Sequence, residues 1–231
     1  KFPEITSWIR ATKEDFQLVH DLGIKETGIL VSCSDYHIFK KMKMTRKQAM
    51  DYYLATVKEA FNAGVIPRCH LEDITRADFY GFVVPFVNEL QRLSREAGVP
   101  VKIRACDTMG YGVPFTEAAL PRSVAGIIYG LQHYSDVPSE HLEWHGHNDF
   151  YKGVANASTA WLYGACAVNC SLLGIGERTG HLEDVMQGLS AYYERESRIR
   201  QAVRSAVTYP LVLSVMMVLI LLVLILKVMP V

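Results

Sequence analysis

The chain has 231 residues, half of them hydrophobic, with 24 lysines and arginines against 24 aspartates and glutamates. This length and hydrophobic content suffice for a large buried core and exclude a disordered chain. A net charge of zero gives no indication of nucleic acid or another polyanion as a partner, which favours small ligands. The five cysteines show no paired CxxC spacing and indicate reduced thiols in a cytosolic protein.

Short strand-like runs alternate with helix-like runs from Glu4 to Leu173, which is the pattern of βαβ units and a parallel sheet. Thr45 and Gln48 form a predicted capping box that opens a helix ending near Gly64. A second helix is predicted over residues 78–98. The sequence predicts six strands, at Ile5–Arg10, Gly28–Ser32, Ile66–Glu72, Val101–Thr108, His141–His147 and Val168–Leu173.

The alternation of residues within the strands predicts a sheet with one polar and one apolar face. The polar face carries Arg68, His70, Glu72, Lys102, Arg104, Cys106, Thr108, Glu143, His145 and His147. A parallel sheet covered by helices on both faces is apolar on both, so a polar face favours a barrel with functional groups at the C-terminal strand ends. A sheet with one half-solvated face is the alternative.

The segment Glu143–Asp149 carries the strongest indication of chemistry. His145 and His147 alternate on one strand, so their imidazoles point the same way and could bind one metal ion. Two hydrogen-bonded core histidines are the alternative. Asn148 and Asp149 follow at the strand end, where they could orient the imidazoles as outer partners of the metal site.

Further groups are predicted at the same end of the sheet. Glu72 and Thr108 end two other strands on the polar face. The glycine-rich segment Gly174–Gly180 follows the last strand, where its backbone N–H groups could approach an anionic or thioester ligand.

Together these motifs resemble the catalytic barrel of the isopropylmalate synthase, homocitrate synthase and hydroxymethylglutaryl-CoA lyase family, over about residues 1–180. The matching segments are His145–Asp149, Asp107–Tyr111, Leu71–Asp73 with Thr75 and Arg76, and Gly174–Arg178. The resemblance implies an α/β TIM barrel and a Claisen-type condensation. Acetyl-CoA loses a methyl proton, its enolate attacks the keto carbon of a 2-keto acid, and thioester hydrolysis releases CoA.

The resemblance also implies roles for individual residues. His145 and His147 would hold a divalent metal ion, Mg²⁺, Mn²⁺ or Zn²⁺, that chelates the keto acid and polarises its carbonyl. Glu72 would take part in acid–base catalysis, and Thr108 and Arg104 would bind the acid. Acetyl-CoA would face the loop residues Gly174, Gly176, Glu177 and Arg178. Isopropylmalate-type, homocitrate-type and citramalate-type substrates all remain open.

Two departures from the family pattern carry expectations. The family's first strand supplies a carboxylate metal ligand and a catalytic arginine in an Asp-x-x-x-Arg-Asp segment, which does not precede Lys1. The sequence therefore predicts a partial barrel lacking its first strands, with weak metal binding and no turnover by this chain alone. His181 stands where the synthases have an asparagine ligand, and it is a weaker candidate for a metal ligand.

The tail differs from the rest of the chain. Residues 181–205 predict an amphipathic helix whose second half is basic. Residues 206–228 predict a transmembrane helix, because Ala206–Leu226 is uncharged and close to the ~20 residues that cross a bilayer. A buried helix of a soluble protein is the alternative. The arginines before this run place residues 1–180, the predicted catalytic barrel, in the cytoplasm and the last helix in the inner membrane.

The tail also resembles inner-membrane platform proteins of type II secretion and type IV pilus systems, on Gly176–Val185, Tyr192–Glu196 and Arg204–Pro210. The sequence therefore predicts a chimera, with a junction of two unrelated genes near Gly176–His181. A membrane scaffold with a passenger barrel is the alternative function. The favoured interpretation is the acyltransferase, whose partners are acetyl-CoA and a 2-keto acid, no nucleic acid, a membrane through the last helix, and a second copy in a homodimer.

Overall fold

The computed structural model describes residues 5–9, 13–171 and 182–227. Internal contacts divide the chain into two units, Lys1–Cys170 and Ser171–Val231. The first unit contains a six-stranded parallel sheet of order β1-β2-β3-β4-β5-β6, curled as a half-barrel. The strands are β1 Ser7–Ile9, β2 Glu26–Ser32, β3 Ile66–Glu72, β4 Lys102–Asp107, β5 Leu142–Gly146 and β6 Ala167–Asn169.

Helices connect successive strands, as βαβ units require. They are α1 Lys13–Asp21, α2 Arg46–Asn62, α3 Val84–Ala97, α4 Val124–Ser135 and α5 Gly153–Leu162, and the second unit contains α6 Leu182–Lys227. Two π-helical segments, Tyr36–Lys41 and Phe79–Val83, precede α2 and α3. The parallel α/β fold predicted from the sequence is confirmed, and each of the six predicted strands overlaps an observed one. Residue 10 of the first predicted strand and residues 172–173 of the sixth lie outside the described residues.

Local sequence signals explain the helix ends. The Thr45 side chain accepts from the Gln48 backbone N–H at 3.2 Å, and the Gln48 side chain accepts from the Thr45 N–H at 2.9 Å. This confirms the predicted capping box. The helix predicted over 78–98 begins as a π-helical turn, and its α-helical part starts at Val84, beside Pro85, which lacks a backbone donor. It ends at Gly98, whose φ of 64° is the left-handed conformation that glycine adopts without steric cost.

The apolar face of the sheet packs against the helices. Its strand residues are completely buried and form one core with helix residues of α2, α3 and α4. The contributing side chains include Cys69, Leu71, Ile103, Ala105, Trp144, Val57, Phe86 and Ile127. The predicted alternation of polar and apolar faces is confirmed on this side.

Ion pairs connect the charged side chains of the polar face. Arg68 pairs with Glu26 and, at 3.2 Å, with Glu143, and Arg104 also donates to Glu143. Lys102 extends the network to Glu26. Arg68 and Glu143 are only 5% and 8% exposed, which favours the interior of a barrel over a half-solvated face.

The second unit contains one continuous helix of 46 residues, α6, with Pro210 inside it. The structure thus joins the predicted amphipathic and transmembrane helices into one. Its segment Ser190–Leu222 is a candidate membrane span by length and composition alone, and an 18-residue window within it has a mean hydropathy of 2.3. The domain bounds at residues 180 and 205, and the insertion of this helix into a membrane, stay predictions.

Candidate active site

The strand register brings four polar side chains into one row at the C-terminal ends of the strands. Glu72 is paired with Cys106, Cys106 with His145, and His145 with Asn169. Paired residues of neighbouring parallel strands point to the same face, and neighbouring strands lie ~4.8 Å apart. Glu72 and His145 are therefore separated by two strand spacings, which is room for a small ligand between them.

The two predicted metal-binding histidines converge. The Nε2 atoms of His145 and His147 are 3.2 Å apart. The Nδ1 atom of His145 lies 2.5 Å from the side-chain oxygen of Asn169. Because an amide oxygen only accepts hydrogen bonds, this contact requires a proton on Nδ1 of His145.

This geometry fits a pair of ligands to one divalent ion. Two imidazole nitrogens, each ~2.1 Å from a shared ion at a tetrahedral or octahedral angle, lie roughly 3.0–3.4 Å apart. The observed separation falls within that range. Within the part of the chain that the structure describes, no group of three histidine, cysteine, aspartate or glutamate side chains converges. His145 and His147 are thus two candidate donors, and metal binding by them stays a prediction.

Glu72 is fixed by three neighbours that the sequence did not suggest. Its Oε2 accepts from the Ser32 hydroxyl and lies 3.1 Å from Nδ1 of His37. Its Oε1 accepts from Nζ of Lys41 at 3.2 Å. His37 and Lys41 belong to the π-helical segment after β2, so this segment holds the carboxylate at the end of β3.

Asp73 anchors the neighbouring loop. It is completely buried and has a φ of 64°, a left-handed conformation that is uncommon outside glycine. Its N–H donates to Thr108 Oγ1 at 2.8 Å, and its carboxylate accepts from Ser34 and Arg76. The predicted substrate-binding hydroxyl of Thr108 is thereby positioned beside Glu72.

The other predicted site residues have different surroundings. The guanidinium of Arg104 donates to Glu143 from Nε at 2.8 Å, within the ion-pair network. Asn148 accepts from the Gly153 N–H at 2.8 Å at the start of α5, and Asp149 is exposed. In the structure Asn169 contacts Nδ1 of His145, and the orienting role of Asn148 and Asp149 stays a prediction. The remaining predicted site residues lie outside the described residues: Gly174, Gly176, Glu177, Arg178 and His181.

Burial keeps two ionisable groups near the site neutral. Desolvation, followed by the charges of Arg104 and Arg68, lowers the pKa of His70 to about 3. Desolvation raises the pKa of the Cys106 thiol to about 12, so the thiol in the row between Glu72 and His145 stays protonated at neutral pH. Neither group is poised as a nucleophile.

Comparison with known proteins identifies the family. Residues 1–200 match the family model described as HMGL-like. The chain belongs to the HMGL-like family. The match runs across Gly176–His181, where the sequence predicted a junction, and the comparisons give no support to a chimera or to the secretion-platform resemblance.

Curated relatives of this HMGL-like chain include two proteins named citrate (Re)-synthase. That of Clostridium kluyveri is 70% identical over 181 residues, covering 78% of this chain and 40% of the relative. That of Syntrophus aciditrophicus is 59% identical over 181 residues, covering 78% of this chain and 29% of the relative. A 2-phosphinomethylmalate synthase of Streptomyces hygroscopicus is 42% identical over 188 residues, covering 79% and 42%. The chain thus spans less than half the length of these relatives.

The fold is shared with solved structures. Hydroxymethylglutaryl-CoA lyase from Pseudomonas aeruginosa matches with a TM-score of 0.56 at 20% identity, over 83% of this chain and 64% of that protein. At this identity the match shows the fold alone. It supports the interpretation of the curled parallel sheet as part of a TIM-like barrel.

Asn169→Ala tests the role of Asn169. Removing the acceptor of the His145 Nδ1 proton should lower the Zn²⁺ or Mn²⁺ affinity of the chain about tenfold, because outer partners fix the orientation of metal-binding imidazoles. Isothermal titration calorimetry measures this, with Asn88→Ala, an exposed asparagine of α3, as the control. Equal affinities in the wild type and Asn169→Ala would show that Asn169 does not orient His145.

The buried imidazole of His70 should make the stability of the fold depend on pH. Its pKa is lowered in the folded chain from 6.5 to about 3, so the unfolded chain binds more protons between these values. The free energy of unfolding should therefore fall as the pH drops from about 7 to about 5. His70→Gln should flatten this dependence in urea denaturation, whereas His133→Gln, at an exposed position on α4, should leave the slope unchanged. An unchanged slope in His70→Gln would contradict the buried neutral imidazole.

Proposed function

We propose that this chain is part of a synthase that condenses acetyl-CoA with oxaloacetate to form citrate. The observation that supports the reaction class is the convergence of His147 with His145, which lies in one row with the fixed carboxylate of Glu72. The narrower choice of citrate rests on the two citrate (Re)-synthase relatives. Addition of the acetyl-CoA enolate to the keto carbon of oxaloacetate gives citryl-CoA, and hydrolysis of its thioester releases citrate and CoA.

The donor set fits a divalent ion held by His145 and His147, which when bound would supply Lewis acidity to the keto carbonyl. Glu72 is the candidate for moving a proton at the acetyl methyl group. Its carboxylate is the only acidic side chain in the row, and Ser32 and Lys41 restrict its position.

We assign binding of the keto acid to Thr108, which follows β4 and lies beside the Glu72 carboxylate. Thr108 Oγ1 accepts from the Asp73 N–H at 2.8 Å, which holds this hydroxyl beside Glu72. We infer that the hydroxyl binds a carboxylate of the acid. Arg104 is bound to Glu143, so we assign it first to the sheet interior, and a direct contact with the substrate stays a prediction.

The acyl-CoA loop Gly174–Arg178, a cytoplasmic location, a membrane contact through α6 and a homodimer also stay predictions. The imidazole of His37, 3.1 Å from Glu72 and 3.9 Å from Asp73, is a further group beside the proposed catalytic carboxylate.

A segment exchange tests the proposed function. In the exchange protein, the part of the Clostridium kluyveri synthase that matches this chain is replaced by the corresponding residues of this chain. The synthase supplies the remainder of the protein. We expect citrate and free CoA from acetyl-CoA and oxaloacetate in the presence of Mn²⁺, and a loss of at least about 100-fold in kcat with Glu72→Gln.

The control variant for this assay is Glu89→Gln, on the outer helix α3, which should retain full activity. Product analysis with α-ketoisovalerate, α-ketoglutarate and pyruvate covers the isopropylmalate, homocitrate and citramalate alternatives. A folded exchange protein that prefers one of these acids contradicts the citrate assignment. A folded exchange protein that releases no CoA with any of them contradicts the reaction class.

A further inference from the structure

A cavity of about 240 Å³ opens beside the candidate active site, lined by Tyr111, Arg122, Phe150 and Lys152. The first two residues lie between β4 and α4, and the other two lie between β5 and α5. Both connections leave the sheet at the C-terminal strand ends, where Glu72 and His145 also lie. The cavity therefore borders the proposed reaction site.

The connections that form the cavity are tied to the sheet. The Tyr111 N–H donates to Asp107 Oδ1 at 2.9 Å, directly after β4. The same Asp107 oxygen accepts from the Thr75 hydroxyl at 2.7 Å. The His147 N–H donates to the Asp107 carbonyl at 3.2 Å, which joins the loop after β5 to the same point.

The lining combines two cations with two aromatic rings. The Arg122 guanidinium lies 5.4 Å from the centre of the Tyr111 ring, and Lys152 Nζ lies 5.5 Å from the centre of the Phe150 ring. The two rings are themselves 5.7 Å apart. Each cation lies within the distance of a cation–π contact.

The positive charges of the cavity are not neutralised by carboxylates. Arg122 donates to the backbone carbonyl of Thr75, a neutral acceptor. Lys152 makes no ion pair with any residue in the described part of the chain, and the four lining residues include no acid. The cavity therefore favours an anionic ligand, and its ring faces favour one that also carries a planar group.

We propose that this cavity binds the phosphate-bearing nucleotide end of the acyl-CoA thioester. This inference rests on the proposed function, because it places the co-substrate of that reaction. Arg122 and Lys152 bind the phosphates, and the adenine stacks on Phe150, whose side chain is 54% exposed.

Size and exposure favour the nucleotide over the keto acid as the occupant. Complete small-molecule sites have volumes of ~300–1,000 Å³, so this cavity suits one end of a longer ligand. An exposed aromatic ring at an open rim suits a part of the ligand that remains outside the reaction site. A small keto acid, by contrast, must be enclosed where its carbonyl reacts, beside His145 and Glu72.

The test titrates the purified full chain with adenosine 3′,5′-diphosphate, the nucleotide part of CoA without the pantetheine arm. Isothermal titration calorimetry should show binding that Lys152→Gln weakens about fivefold and Phe150→Leu weakens about tenfold. Lys152→Arg should restore the affinity, because it keeps the charge. Lys58→Gln, an exposed lysine of α2, is the matched control and should bind like the wild type.

Two further titrants test whether the cavity binds any anion, or the keto acid, instead of the nucleotide. Inorganic phosphate and oxaloacetate, each titrated alone, should bind the wild-type cavity more weakly than the nucleotide and show no dependence on Phe150. If either one binds as tightly as the nucleotide and is weakened equally by Lys152→Gln, the cavity is a general anion or keto-acid site, and the nucleotide assignment is overturned.

The failure of this inference differs from the failure of the proposed function. If adenosine 3′,5′-diphosphate binds the wild type and all Lys152 and Phe150 variants equally, the nucleotide end binds elsewhere and the proposed reaction is unaffected. If the wild type does not bind this nucleotide, the cavity assignment is overturned, whereas the proposed acetyl-CoA reaction is decided separately by CoA release from the exchange protein. Circular dichroism of each variant establishes that the fold is retained.

Discussion

The parallel register of the sheet decides which side chains meet, because each strand can present only alternate residues to one face. Glu72, Cys106, His145 and Asn169 are four residues of four different strands, and the register places them in one row. A shift of one strand by one residue would turn its member of the row into the apolar core. The site therefore depends on the same pairing that buries Leu71, Ala105 and Trp144 on the opposite face.

The polar face is costly to bury, and the structure offsets that cost by pairing. Arg68, Arg104 and Lys102 are balanced by Glu26 and Glu143, which act as shared acceptors across neighbouring and more distant strands. Buried ion pairs of this kind contribute little net stability, but loss of one partner is strongly destabilising, by about 3–5 kcal/mol. This ladder fills the sheet interior below the row and leaves the row at the strand ends for ligands.

The sequence was sufficient to predict the strands, the polar face and the histidine pair, because each depends on a local period of two residues. His145 lies near the end of β5 and His147 directly after it, two residues along the chain, so their convergence needs no knowledge of neighbouring strands. The partners of Glu72 could not be predicted in this way, since His37 and Lys41 belong to a π-helical segment that no simple periodicity marks. Asn169 was also missed, because its contact with His145 depends on the pairing of β5 with β6.

In the tail, amino-acid composition alone did not predict where the helix begins. Its uncharged run predicted a separate membrane helix, and the structure contains one continuous helix that begins at Leu182 and ends at Lys227. The family match through residue 200 includes the first part of this helix. The resemblance of short tail segments to platform proteins was therefore less informative about the family than the HMGL-like match over residues 1–200.

The proposed site has one divalent ion held by His145 and His147, with His145 in the same row of side chains as Glu72. A crystal structure of the chain with Zn²⁺, phased to show the anomalous signal of zinc, tests this claim most directly. The account predicts one anomalous peak roughly 2.1 Å from Nε2 of both histidines. Zinc bound elsewhere, with the two Nε2 atoms still in contact with each other, would contradict it.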